Sequence, residues 1–165
     1  MSSPSVLRTV QIRKDYLKFS AGHFTLFDDG SRERLHGHDY LVSLELDIVY
    51  GDSGIGVDYR LIKPVLREVC DEIDEYVLLP TTPRIVVRSK AGQLAFTVDG
   101  VEFSIPAAGV KLLPIPNITV EELSGYVLDQ LLARTPVTLM QPIVRLAVTV
   151  EAGPGQSGSS TWRRG

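Results

Sequence analysis

The chain of 165 residues has a single cysteine, a single tryptophan and two methionines, and aromatic residues make up only 7% of it. One cysteine, Cys70, excludes an internal disulfide framework. It falls on or beside the apolar stripe of a helix, where a thiol is an inert packing group rather than a nucleophile. No apolar run approaches the roughly 20 residues that span a bilayer, and Met1-Ser2-Ser3-Pro4-Ser5 lacks the charged start and apolar core of a signal peptide. These absences point to the cytoplasm. Positive charge is short as well: 17 Lys and Arg against 20 Asp and Glu leave a net charge of −3. No basic stripe for nucleic acid is expected, while a small nucleotide-like ligand stays open. The 44% hydrophobic content supplies a core, and the length suits one domain, 1–165.

Histidine is scarce too, and its placement is informative. Of the three histidines, two lie in Arg34-Leu35-His36-Gly37-His38-Asp39-Tyr40 and the third closes Leu17-Lys18-Phe19-Ser20-Ala21-Gly22-His23. Both segments read as strands, in which alternate side chains share a face. His36 and His38 therefore point the same way, and His23 extends the face of Leu17, Phe19 and Ala21. If the strands pair, three imidazoles converge. Three neutral ring nitrogens with one open position describe a catalytic zinc site rather than a closed structural one.

Along the chain, Val6 to His23 is rich in β-formers and reads as one long bulged strand or a hairpin. Phe24 to Glu33 is a polar loop. The His-x-His strand then continues with Tyr40, Val42, Leu44, Leu46 and Ile48 on its buried face, and Gly51 to Gly56 turns it. Asp58 can cap a helix to about Ile73, with Leu61, Val65, Val69 and Ile73 as its stripe. Pro64 fits only if the regular helix starts later. Residues 84–105 hold three short alternating runs with turns at Ala91-Gly92 and Asp99-Gly100, a β-meander. Thr119 and Glu122 form a capping-box signature before a helix carrying Leu123, Val127 and Leu131 to about Arg134. Ile143 to Glu151 is a last strand, and the Gly/Ser-rich tail, 156–165, is expected to be disordered. The predicted architecture is α+β: an antiparallel four-stranded sheet, two helices on one face and an inserted meander. Its long edges call for pairing across subunits.

Five segments in order resemble the 6-pyruvoyltetrahydropterin synthase superfamily, which includes the 6-carboxytetrahydropterin synthases. They are Phe19-Ser20-Ala21-Gly22-His23, Leu35-His36-Gly37-His38-Asp39-Tyr40 with the following Gly56-Val57-Asp58-Tyr59-Arg60-Leu61-Ile62-Lys63, Ile73-Asp74-Glu75-Tyr76-Val77-Leu78-Leu79, Asn117-Ile118-Thr119-Val120-Glu121, and Val148-Thr149-Val150-Glu151. The resemblance implies the tunnelling fold, a homo-oligomer (trimer or hexamer) with sites at subunit interfaces, and Zn2+ held by His23, His36 and His38. It also implies that Glu151 pairs with the guanidinium-like edge of a pterin, in the manner of carboxylate–guanidinium forks, with Thr119 beside it.

Two departures shape the functional expectation. The proton-abstracting cysteine that family members carry shortly before His-Gly-His is absent, and Glu33 is the candidate base in its place. This resembles the subgroup with glutamate for cysteine, which implies cleavage of the side chain of 7,8-dihydroneopterin triphosphate to 6-hydroxymethyl-7,8-dihydropterin. The family's Asp-His pair becomes Asp74-Glu75, candidates for proton relay if burial or the neighbouring charge raises the Glu75 pKa. The expected activity is a zinc-dependent lyase acting on a dihydropterin. The alternatives are a 6-pyruvoyl- or 6-carboxytetrahydropterin synthase, and a non-catalytic pterin- or purine-binding homologue.

Overall fold

In the computed structural model the described residues are 7–50 and 54–165. Val6, the Met1–Ser5 segment and the first three residues of the expected Gly51–Gly56 turn lie outside them. The elements are β1 Leu7–His23, β2 His36–Val49, α1 Tyr59–Asp71, β3 Tyr76–Pro80, β4 Val86–Lys90, β5 Gln93–Val98 and β6 Val101–Pro106. They are followed by β7 Val110–Leu113, α2 Val120–Arg134, α3 Val137–Met140, β8 Ile143–Ala152 and β9 Ser157–Arg163.

β1 is one long strand, and its register against β2 shifts between Arg13 and Lys18. That bulge resets the parity so that Leu17, Phe19 and Ala21 face the core along with Tyr40, Val42, Leu44, Leu46 and Ile48 of β2. The same register sets His23 opposite His36 and Ala21 opposite His38.

The expected four-stranded antiparallel sheet is instead six-stranded and mixed, in the order β7-β3-β1-β2-β8-β9. β3 pairs with β1, and β7 with β3, in parallel. β3 is a short apolar run buried at Leu78–Pro80, and the four-residue β7 buries only Leu113; neither is long enough to show a period-2 signal. The sixth strand corrects the expectation for residues 156–165: Ser157–Arg163 pairs with β8 throughout. Its small residues have little strand preference of their own. What orders them is close packing on α2, where Ser160 Oγ meets Ser124 Oγ at 2.8 Å. A Cβ at Gly158 would come within 2.6 Å of the helix backbone, so only glycine lets this strand approach.

The two longer helices share one core with the sheet. α2 is capped by Thr119, whose Oγ1 accepts from Glu122 N–H at 3.4 Å, and Leu123, Val127 and Leu131 are fully buried as expected. α1 is capped by Asp58, but its buried stripe is Ile62, Leu66, Val69 and Cys70, while Leu61 is 54% exposed. The helix is rotated from the expected stripe by about one residue. Pro64 lies inside it, contrary to the expected later start. Pro64 is exposed, so the Arg60 carbonyl it leaves without an amide partner can turn to water. β4, β5 and β6 form a separate three-stranded meander over a second, smaller core built on Phe24, Phe96 and Ile85. Among the described residues no helix is long and apolar enough to cross a membrane.

Candidate metal centre and active-site cleft

The end of β1 and the start of β2 bring the three histidines together, with ring centroids 4.6 to 5.2 Å apart. One ligand nitrogen from each falls within 4.8 Å of the others. Two nitrogens on a tetrahedral zinc stand about 3.4 Å apart, given bonds of roughly 2.0–2.1 Å, so small ring movements suffice. His36 Nε2 and His38 Nε2 are 3.0 Å apart.

Backbone carbonyls set the tautomers. His23 Nδ1 donates to Ile118 O at 3.0 Å and His36 Nδ1 to Arg34 O at 2.7 Å, which frees each Nε2 as a lone-pair donor. Asn117 secures the first carbonyl: its amide oxygen accepts Ile118 N–H and Leu26 N–H, both at 3.0 Å, and its amide nitrogen donates to Leu26 O at 2.8 Å. His23 Nε2 is buried with no hydrogen-bond partner. An orphaned buried nitrogen costs free energy, and a metal ion removes that cost. Burial first, then the neighbouring His36, push the His23 pKa below its ordinary value, so the ring is neutral as a ligand must be. The donor set fits a divalent cation that accepts imidazole.

A cleft of about 270 Å³ opens on these histidines and is lined also by Thr25, Phe27, Glu33, Tyr40, Thr119, Glu121 and Gln156. Glu33 and Thr119, named from the sequence, both line it. Burial alone would raise the Glu33 carboxyl, but hydrogen bonds from Thr25 (its N–H donates at 3.0 Å) and the nearby His36 and His23 outweigh that. The net position is below the usual carboxylate range. Burial also drives the Tyr40 phenol well above its ordinary value, with the Glu33 charge second, so it stays protonated.

Asp74, Glu75 and Glu151 are not gathered here within one chain. The Asp74 carboxylate accepts Ser20 N–H at 2.7 Å. Glu75 has φ 62°, ties its N–H to Ser20 O at 2.7 Å, and lines a separate cleft of about 400 Å³ with Ser20, Gly22, Gly37 and Asp39. His38 borders both clefts. Glu151 follows buried Val150 and pairs with Arg13 at 3.1 Å on the other face of the sheet. Conversely, Glu121 lies in the histidine cleft without a side-chain partner among the described residues. Its position in the first turn of α2, two residues after Thr119, was the available signal. Gln156 gave none, since it sits in a glycine-rich segment. Cys70 is fully buried among core residues and its thiol is pushed up to about 12, chiefly by burial, so it is no nucleophile.

A mixed sheet with two helices packed on it, and a three-histidine cluster at the ends of its two central strands that could hold a metal ion, define an α+β protein of the pterin-synthase type. The 6-pyruvoyl tetrahydropterin synthase family model matches residues 11–155, and the chain belongs to that family. A relative in Methanocaldococcus jannaschii, provisionally named 6-carboxy-5,6,7,8-tetrahydropterin synthase, is 33% identical over 144 residues, 85% of this chain and 86% of its own. The 6-pyruvoyltetrahydropterin synthase of Plasmodium vivax superposes with a TM-score of 0.91 at 26% identity, covering 96% of this chain and 99% of the other. A variant of it, described as a catalytic-residue mutant in which glutamate becomes alanine, gives 0.90 at 25% over the same shares.

Proposed function

We propose that the protein is a zinc-dependent lyase that cleaves the side chain of 7,8-dihydroneopterin triphosphate to 6-hydroxymethyl-7,8-dihydropterin in the cytoplasm. The observation that carries this is a carboxylate, Glu33, in the three-histidine cleft where a cysteine base is absent. The catalytic glutamate of the Plasmodium vivax relative supports the same role. Zinc held by His23, His36 and His38 would polarise the oxygen groups of the substrate side chain and make their protons easier to remove.

Glu33 starts ionised, so it is a proton acceptor from the outset. Cleavage between C1′ and C2′ requires loss of the C2′ hydroxyl proton and delivery of a proton to C1′. The bond's electron pair passes to C1′, where the conjugated pterin ring stabilises it, and C2′ leaves as an aldehyde. One carboxylate can take the first proton and return it to C1′. Thr119 and Glu121 would orient the substrate from the α2 side. Glu151 is proposed as the ring anchor: its contact to Arg13, whose side chain is 64% exposed, is a weak surface pair and can yield to the guanidinium-like edge of the pterin. Asp74 and Glu75 would act at a neighbouring subunit's cleft in a trimer or hexamer.

A second reading, a 6-carboxy- or 6-pyruvoyltetrahydropterin synthase, is favoured by the Methanocaldococcus relative. Incubation of zinc-loaded protein with dihydroneopterin triphosphate, with products identified by mass, separates the readings. 6-Hydroxymethyl-7,8-dihydropterin is expected. A three-carbon or carboxyl side chain on the product selects the second reading, and retained pterin without turnover assigns a binding role.

A further inference from the structure

The loop from Phe24 to Leu35 is braced from within and from outside. Within it, Leu26 bridges Arg32, Glu33 N–H donates to Thr25 O at 3.0 Å and Phe27 N–H donates to Ser31 O at 2.9 Å. From outside, one side chain takes the tip. Arg84 donates to the carbonyl oxygens of Phe27 at 2.7 Å, Gly30 at 2.9 Å and Ser31 at 3.3 Å. The same guanidinium pairs with Asp99 at 3.2 and 3.3 Å. Asp99 sits with φ 49° in the tight turn between β5 and β6, so it presents its carboxylate from the meander.

A half-exposed ion pair alone contributes little. Here the carboxylate serves to aim a rigid fork of five N–H donors at three carbonyls. Three carbonyls on one planar group fix the position and tilt of the loop tip, which a single contact would not. A second connection runs beneath it. The Arg32 guanidinium lies 5.3 Å from the Phe103 ring and 5.8 Å from the Phe24 ring, and donates to Glu33 O at 2.8 Å. Phe103 stacks on Phe96 at 4.9 Å inside the meander core. Both routes start in the meander; the first ends at the loop tip, two residues before Glu33, and the second on the Glu33 carbonyl.

We infer that Arg84 is a positioning residue for the reaction, and that the meander is the rigid body against which the Glu33 loop is set. This rests on Glu33 as the base. Arg84 touches none of the histidines and does not itself line the cleft; it meets the lining only at the backbone carbonyl of Phe27, so its effect passes through loop placement and falls on turnover rather than on metal binding.

The test compares Arg84→Ala, Arg84→Lys, Glu33→Gln and the Glu33→Gln/Arg84→Ala double variant, all zinc-loaded. Readouts are kcat and KM for dihydroneopterin triphosphate, bound metal, and hydrogen exchange over residues 26–33. Misplacement of a reacting group by about an ångström costs up to roughly a hundred-fold, so Arg84→Ala should lower kcat by about ten- to a hundred-fold. KM and metal content should hold while loop amides exchange faster. Arg84→Lys should recover part of the rate. In the Glu33→Gln background Arg84→Ala should add no further loss, because both act on one step. Unchanged kcat in Arg84→Ala, or losses that multiply in the double variant, overturns the inference. Full activity in Glu33→Gln overturns the base reading instead, and hydrogen exchange then still reports whether Arg84 holds the loop. If Arg84→Ala does not fold, Asp99→Asn takes its place in the series, and full kcat with unchanged loop exchange there overturns the inference equally.

Discussion

The two ends of the β1–β2 pair's histidine segment carry carboxylates in unlike settings. On the core side, Glu33 and Glu121 share a cleft with all three histidines. On the other side, Asp74 and Glu75 are pinned to the backbone of Ser20, and Glu151 is engaged with Arg13. Within one chain the first group lines the cleft of all three histidines, whereas Glu75 shares its cleft with His38 alone. The second group, if it serves the same chemistry, does so across a contact between chains. The difference separates what a single fold completes from what only an assembly can complete.

The sharpest way to break this comparison is to remove the centre on which it turns. His36→Ala leaves two nitrogens, and stoichiometric zinc in elemental analysis should disappear with all turnover; unchanged zinc content would sink the site. Next comes Glu33→Gln, which keeps size and hydrogen bonding but removes the base. Turnover should fall by about a hundred- to ten-thousand-fold, with zinc and pterin binding retained. A mixing experiment addresses the other face. Glu33→Gln and Glu75→Gln proteins, each impaired, should regain part of the activity when reassembled together from dissociated subunits, since some sites then receive both intact groups. No recovery would restrict the site to one chain and leave Glu75 outside it.

Smallest is the pH effect of the pair joining the ends of α1 and α2. Glu72 accepts two hydrogen bonds from Arg134, at 2.6 and 2.7 Å, which hold its carboxyl below the ordinary range. A carboxylate with a depressed folded-state pKa adds stability that is present above its unfolded value and lost as pH falls through the folded one. Arg134→Met should therefore flatten the acid limb of the stability profile slightly. Denaturant melts at pH 7 and pH 3 that change in parallel would show the pair to be without effect.

The histidine centre was legible because a strand's two-residue period turns spacing into direction, and the pairing of His23 with His36 needs only that the two strands meet. α2 was legible for a similar reason: Thr119 caps it and its stripe is regular. β9 was not, because Ser157–Arg163 becomes a strand through Gly158 on the α2 backbone, a contact invisible in local sequence. β3 and β7 are too short to show a period. Glu151 was assigned through resemblance, yet its parity opposite Val150 already put it on the other face. The α1 stripe was misplaced because a strict four-residue spacing drifts off the face of a 3.6-residue helix, whose buried side is Ile62, Leu66, Val69 and Cys70.

Glu75 carries one more consequence. A non-glycine residue at φ 62° costs on the order of 1–2 kcal/mol relative to a right-handed conformation, and glycine would adopt it freely. Glu75→Gly should raise the melting temperature by a few degrees, provided the greater freedom of the unfolded glycine does not cancel the gain. The carboxylate at this turn is therefore held at a cost in stability. Strained turns beside clefts are positions that functional sites recruit, and the mixing of Glu33→Gln with Glu75→Gln subunits reads whether this one is so used.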